Sequence, residues 1–294
     1  MDQAERLRSI IKQNQMTPPQ AARVITVTSG KGGVGKSNVS INLAVEFKKI
    51  GKRVIIFDAD FGLANIEVMF GTVPKNNLAD LIYKGAGIRD VITWGPMDIG
   101  FISGGSGIAG LTNLGSDYIN YLVQQLSELD SLADVIIIDT GAGISDSVME
   151  FLVSSGEILL VTTPEPTSIT DSYSLLKALK RHNRFSEENS QVKVISNKVS
   201  TSAEGQQLFN KLNTVVMRYL RLNIEYLGCI PQDKELSDAV MQQSPICISN
   251  PNAASSKAFR DISMTLMDIP HESTVYRRGM AGFFASMVRG RRVM

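Results

Sequence analysis

Within "SGKGGVGKSN", residues 29–38, Gly30, Gly35, Lys36 and Ser37 satisfy the pattern G-x-x-x-x-G-K-[ST]. Glycines at this spacing let successive backbone N–H groups turn inward around an anion, and the first turn of a following helix adds its positive end. A lysine and a hydroxyl at the pattern's last two positions are placed to reach the β/γ-phosphates and a Mg²⁺ ion. Three aspartates complete the chemistry. "VIIFDADFGLAN" carries Asp58 at the end of an apolar run and Asp60 just beyond it, and "ADVIIIDTGAGIS" carries Asp139 after another. A carboxylate at the end of a buried strand is expensive unless a cation or hydrogen bonds compensate it. The expected reaction is phosphoryl transfer from ATP, in which positioning and charge stabilisation dominate.

The elements that position these residues read as a parallel sheet. "RVITVTS", "RVIIFDAD", "DVIIIDT", "EILLVTT" and "VKVISNK" are strands rich in Val and Ile. Each is followed by a helix-length segment such as "SNVSINLAVEFKKIG" or "SITDSYSLLKALKRH", and a last strand, "IEYLGCI", precedes "PQDKELSDAVMQQ". Near-continuous apolar strands alternating with helices imply an α/β fold: a mostly parallel, twisted β-sheet covered by helices on both faces. The phosphate loop then joins a strand ending near Ser29 to a helix starting near Lys36, and the aspartates lie at the ligand-binding ends of strands. "GGSGIAG", residues 104–110, reads as a surface loop.

Composition narrows the class. The chain has 294 residues, 43% hydrophobic and 20% charged, enough for one large α/β domain. A net charge of +1 gives no bulk attraction to nucleic acid, and none is expected as a partner. The two cysteines, Cys229 and Cys247, make neither a disulfide framework nor a CxxC metal site. The first residues, "MDQAERLRSIIKQNQ", lack the apolar region of a signal peptide, and no apolar run reaches the ~18 residues of a membrane span. A cytoplasmic location follows as the expectation.

The two ends form separate elements. Residues 1–22 precede the first strand and suit a short helix around Ala4–Gln13, broken by "TPPQ". At the other end, Met280, Phe283, Phe284, Met287 and Val288 fall on one stripe of a helix. Arg277, Arg278, Arg289, Arg291 and Arg292 flank it without an acid. That pattern fits a segment lying in an anionic membrane interface. Gly279, Gly282 and Gly290 lower its intrinsic helicity, so the helix is expected to form only on a surface. The expected division is an N-terminal segment 1–22, an ATPase domain 23–270 and a C-terminal membrane-targeting tail 271–294.

"KGGVGKS" resembles the deviant phosphate loop of the MinD/ParA family of P-loop ATPases. The resemblance covers roughly residues 23–268 and implies ATP/ADP and Mg²⁺ as ligands, held along Gly30, Lys31, Gly32, Gly33, Val34, Gly35, Lys36, Ser37 and Asn38. In that family the extra lysine, here Lys31, reaches the partner's phosphates across an ATP-sandwiched homodimer. The resemblance makes Asp139 the acid that supports Mg²⁺ with Ser37, Asp58 a neighbouring acid near the metal, and Asp60 the acid that orients the attacking water. "TGAGI" corresponds to the second switch loop, with Gly141 where family members often have proline. Asn197 of "ISNKV", and Pro231 and Asp233 of "IPQD", match the surroundings of adenine. "DQAERLR", residues 2–8, together with the Phe-bearing tail, resembles the flagellar branch of the family, FlhG (also YlxH or FleN). That branch implies stimulation of the GTPase FlhF through Gln3, Arg6 and Leu7, contact with flagellar C-ring proteins, and reversible attachment to the inner face of a bacterial cell membrane. A MinD-type regulator of division sites and a ParA-type DNA-partition ATPase stand as alternatives. A relative carrying an iron–sulfur cluster would need cysteines near the switch loops, and Cys229 and Cys247 lie elsewhere.

Overall fold

The computed structural model describes residues 21–60, 65–104, 124–268 and 279–289. Its strands are β1 Arg23–Ser29, β2 Val54–Ala59, β3 Thr93–Trp94, β4 Gly100–Ser103, β5 Val135–Ala142, β6 Glu157–Thr162, β7 Gln191–Val199 and β8 Ile224–Pro231. They form one sheet in the order β3-β4-β2-β5-β1-β6-β7-β8. Every pairing is parallel except β3 with β4 at the edge. The expected α/β class is therefore present, and the six strands read from the sequence are in it. The edge pair β3 and β4 was not anticipated. Two- and four-residue strands carry too few positions for a period to show.

The helices are α1 Lys36–Lys49, α2 Asn65–Phe70, α3 Leu78–Lys84, α4 Ile88–Val91, α5 Leu129–Leu132, α6 Asp146–Ser154, α7 Pro166–Arg181, α8 Ser202–Leu220, α9 Lys234–Met241, α10 Ile246–Ser249, α11 Ala254–Asp268 and α12 Gly279–Arg289. One sheet face packs under α1, α10 and α11 through residues such as Ile41, Val45, Phe259 and Ile262. The other is covered in two parts. Leu175, Leu179, Phe209 and Leu212 of α7 and α8 lie over β6 and β7. Over β2, β4 and β5, the cover includes α12.

That last contact changes the reading of the tail. Met280, Phe283, Phe284 and Met287 are buried in the protein's own core. Phe284 meets Phe57 of β2 at 5.9 Å between ring centroids, and Phe283 stacks on Phe151 of α6 at 6.0 Å. The helix therefore forms on the body of the protein, where the sequence pattern had suggested a membrane surface. Its glycine-lowered helicity is offset by packing and by a borrowed cap. The Asp130 carboxylate accepts from Met280 N at 2.7 Å and Ala281 N at 3.3 Å, satisfying N–H groups of the first turn. Gly279 has φ +54, and a Cβ there would fall 2.5 Å from Asp130 Oδ2, so the site admits only glycine. At the other end, Arg184 donates to the Ser286 carbonyl at 2.6 Å. Asp130 also accepts from Ala22 N, and its burial pushes its carboxyl above the usual range despite these three hydrogen bonds. One carboxylate thus joins the start of β1 to the start of the tail helix. Val288's side chain, the flanking arginines, and Gln3, Arg6 and Leu7 lie outside the described residues.

A buried charge cluster ties the far ends of the central strands together. Glu157, fully buried, accepts two hydrogen bonds from Arg23 at 2.8 Å and one from Lys193 at 2.6 Å. Burial opposes its ionisation, but the two cations outweigh that and hold its carboxyl below the usual range. Arg23 also donates to the Leu266 carbonyl at 2.6 Å, so β1, β6, β7 and α11 meet at this point. Glu157→Ala leaves two buried cations without their carboxylate. It should cost ~3–5 kcal/mol, read as a lowered urea midpoint with an unchanged slope.

Candidate functional site

The phosphate loop is shaped by two close approaches. A Cβ on Gly30 would lie 2.3 Å from the Asp171 backbone of α7, and one on Gly35 would lie 2.4 Å from Asn197 Nδ2, where φ is already +93. Gly35 leads into α1 without a side-chain cap, so the first N–H groups of that helix face the loop's interior. The loop borders a cavity of about 750 Å³. Gly32, Gly33, Gly35, Lys36, Ser37 and Asn38 line it from one side, Asp60 from a second, and Asn197, Pro231 and Asp233 from a third. The structure thus brings most of the anticipated residues to one place.

The aspartates divide their tasks. Asp58 and Asp139 are register partners on the neighbouring parallel strands β2 and β5, so their carboxylates stand side by side. Asp139 is fully buried. Its Oδ1 accepts from Ser40 Oγ at 2.8 Å and from Lys36 Nζ at 3.3 Å, while its Oδ2 has no hydrogen-bond partner among the described residues. An orphaned buried carboxylate oxygen, with the Ser37 hydroxyl on the cavity wall, is a donor set that fits Mg²⁺. Asp58 also has a structural task. Its two oxygens accept the backbone N–H groups of Asp60 at 3.1 Å and Ile66 at 3.3 Å. It therefore ties Asp60, which lines the cavity, to the first turn of α2. Burial, then the neighbouring Asp139 charge, pushes its carboxyl up to about 7, against the pull of those two N–H groups and Lys36.

The expected adenine neighbours are also partly committed. Asn197 donates to the Val34 carbonyl at 2.7 Å and accepts from Lys198 N at 2.9 Å, so it clamps the phosphate loop to β7. One amide N–H remains for a base. Asp233 caps α9 through Glu235 N and takes both the amide and hydroxyl of Ser255. Burial works against its ionisation, yet these donors hold it below the usual range. Gly141 would accommodate a Cβ at 3.6 Å from Val148, so sterics do not require glycine there.

Lys31 does not line its own cavity. Its ammonium sits on Glu165 at 2.6 Å and Thr167 at 2.9 Å, at the start of α7. Lys31's charge holds the Glu165 carboxyl below its usual range. Four contributors escaped the sequence reading. Ser40 lies inside a helical apolar run with no motif to mark it. Lys198, at φ +57, donates to the Gly33 carbonyl at 2.8 Å. Leu236 and Val240 of α9 give the cavity an apolar wall that only the packing of α9 reveals.

Comparison with known proteins agrees with this geometry. The ParA model described as NUBPL iron-transfer P-loop NTPase matches residues 20–267. The antiactivator FleN of Pseudomonas aeruginosa is 39% identical over 256 residues, covering 87% of this chain and 90% of FleN. The chain belongs to the MinD/ParA family of P-loop ATPases, in its FlhG branch. The flagellum site-determining protein YlxH of Helicobacter pylori is 32% identical, covering 91% of this chain and 90% of YlxH. The MinD of Pyrococcus horikoshii, solved with Mg-ADP, shares the fold at a TM-score of 0.66 and 22% identity, over 84% of this chain and 97% of that one. As a family member the chain is an ATP hydrolase. Its two cysteines, on β8 and α10, do not line the cavity.

The position of Asp58 gives a pH test without added nucleotide. Its folded value near 7 lies above the unfolded value near 3.8, so the folded state binds the extra proton between them. Stability from this group is present at acid pH and lost as pH rises from about 4 through about 7, by at most ~4 kcal/mol. Asp58→Asn should flatten that slope, measured as urea midpoints at pH 5 and pH 8.

Proposed function

We propose that this ATPase is a dimerisation switch that sets flagellar number or placement, with its tail as a reversible membrane anchor. The observation that carries the switch is the position of Lys31. It stands outside its own cavity, held by an exposed ion pair of a kind that water screens strongly. A partner's phosphates, facing the loop across a two-fold axis, offer a stronger charge-assisted contact. The flagellar role is supported by the names of FleN and YlxH. On this reading Lys36 and the loop N–H groups hold the β/γ-phosphates, Asp60 orients water, and Ser37 and Asp139 hold Mg²⁺. The metal, when bound, neutralises charge developing on the phosphates.

The docked tail supports a membrane exchange. Four buried side chains, Met280, Phe283, Phe284 and Met287, gain on the order of 6–12 kcal/mol as an upper bound from burial. Release into water forfeits that gain. Release into a lipid interface keeps much of it, so the membrane can compete with the body for the same face. Two tails in one dimer then bind by avidity. No helix among the described residues is long and apolar enough to cross a membrane. Residues 1–22 act on FlhF, and the C-ring proteins contact the ATPase domain. A ParA-type DNA role has no comparable feature in its support.

Two experiments test this. Asp60→Ala should bind ATP but hydrolyse it slowly, persist as a dimer in light scattering, and sediment more strongly with anionic liposomes. Adding Lys31→Ala should return it to a monomer, and removing residues 277–294 should abolish sedimentation while leaving ATP affinity within twofold. A monomeric Asp60→Ala that retains ATP contradicts the sandwich, and a truncated protein that still sediments contradicts the tail. Separately, deleting residues 1–22 should remove stimulation of GTP hydrolysis by a cognate FlhF. Undiminished stimulation would place that contact elsewhere on the chain.

A further inference from the structure

We propose that Ser40 is a positioning residue for ATP hydrolysis, holding the Asp139 carboxylate in place when Lys36 leaves it for the phosphates. The proposal rests on Asp139 being the acid that supports Mg²⁺. Lys36 and Ser40 are four residues apart on α1 and so present one face. Both converge on the same oxygen, Asp139 Oδ1, at 3.3 Å and 2.8 Å. Lys36 cannot serve Asp139 and the β/γ-phosphates equally. When its ammonium moves to the nucleotide, Oδ1 keeps the Ser40 hydroxyl.

Two features argue that this hydroxyl is more than helix filler. First, Ser40 is fully buried, where a hydroxyl is tolerated only when it is hydrogen-bonded. Its alternative acceptor, the Lys36 carbonyl one turn back, lies at 3.3 Å. The single hydroxyl proton therefore favours the nearer, charged oxygen. Second, Asp139 is fully buried, so bulk water cannot replace a lost donor. With Oδ1 pinned, the carboxylate plane is set and Oδ2, which has no hydrogen-bond partner among the described residues, is the oxygen left for a magnesium-bound water. Partners of this kind, behind the groups that face a metal, are typically worth ~10–100-fold in metal affinity or activity.

The test is Ser40→Ala in the full chain, with Asp139→Asn and the double variant beside it. Nucleotide affinity is measured by calorimetry in EDTA and across a Mg²⁺ titration, and hydrolysis is measured at saturating Mg²⁺. For Ser40→Ala, affinity in EDTA should stay within twofold and the Mg²⁺ concentration for half-effect should rise about tenfold. The value of kcat should fall about tenfold while KM for ATP stays within twofold. The double variant should show no shift in Mg²⁺ dependence beyond that of Asp139→Asn, because Ser40 acts through Asp139. If Ser40→Ala fails to fold, Ser40→Cys, close in size and a weaker donor, should give a smaller shift in the same direction. A shift with Asp139→Asn but none with the Ser40 variant overturns the proposal. No shift with Asp139→Asn overturns the reading of Asp139 on which it rests.

Discussion

The ion pair between Lys36 and Asp139, 3.3 Å long and almost fully buried, joins the phosphate loop to the centre of the sheet. A buried carboxylate within β5 is tolerable because a cation and a hydroxyl face it from α1. That requirement sets where α1 must start and therefore where the loop must turn. It also governs Asp58, which stands in register beside Asp139 and is driven toward its neutral form by that neighbour and by burial. The same pair stores Lys36 on a carboxylate. That holds the Lys36 ammonium desolvated beside the cavity that it lines.

Around this pair the polar side chains are spent on backbone before they are offered to ligand. Asp58 holds the amides of Asp60 and Ile66, Asn197 clamps Val34 and Lys198, and Asp233 caps α9. Their effect on the nucleotide is indirect: they fix the walls of the cavity. Asp60 and Ser37 line the cavity itself. This separation is a form of preorganisation, since a wall already hydrogen-bonded does not have to order when ligand arrives.

The second face of the sheet is completed by a helix from the end of the described chain. Phe57 and Phe151 need cover, and α12 supplies it with Phe283 and Phe284. The groove takes this stripe because burial removes its apolar area from water. Asp130 and Arg184 add direction to a contact that hydrophobicity alone would leave unspecific, one holding each end of the helix.

Much of the site was legible in the sequence because its residues are contiguous or stand at strand ends. Glycines, lysines and serine in a loop of fixed spacing, and acids closing Val- and Ile-rich runs, are local signals, and local geometry decides them. The parallel sheet was equally legible, since strands buried on both faces must be apolar throughout. What the tertiary structure decided depends on residues far apart in the chain. Ser40 matters only because β5 brings Asp139 beside it, 99 positions away. Glu157 is neutralised by Arg23 from 134 positions away, and Asp130 caps a helix 150 positions on. The tail's stripe was visible as amphipathic, but periodicity states only that one face is apolar. Which surface covers it is set by the shape and chemistry of the groove left over β2 and α6, and no spacing within residues 279–289 encodes that.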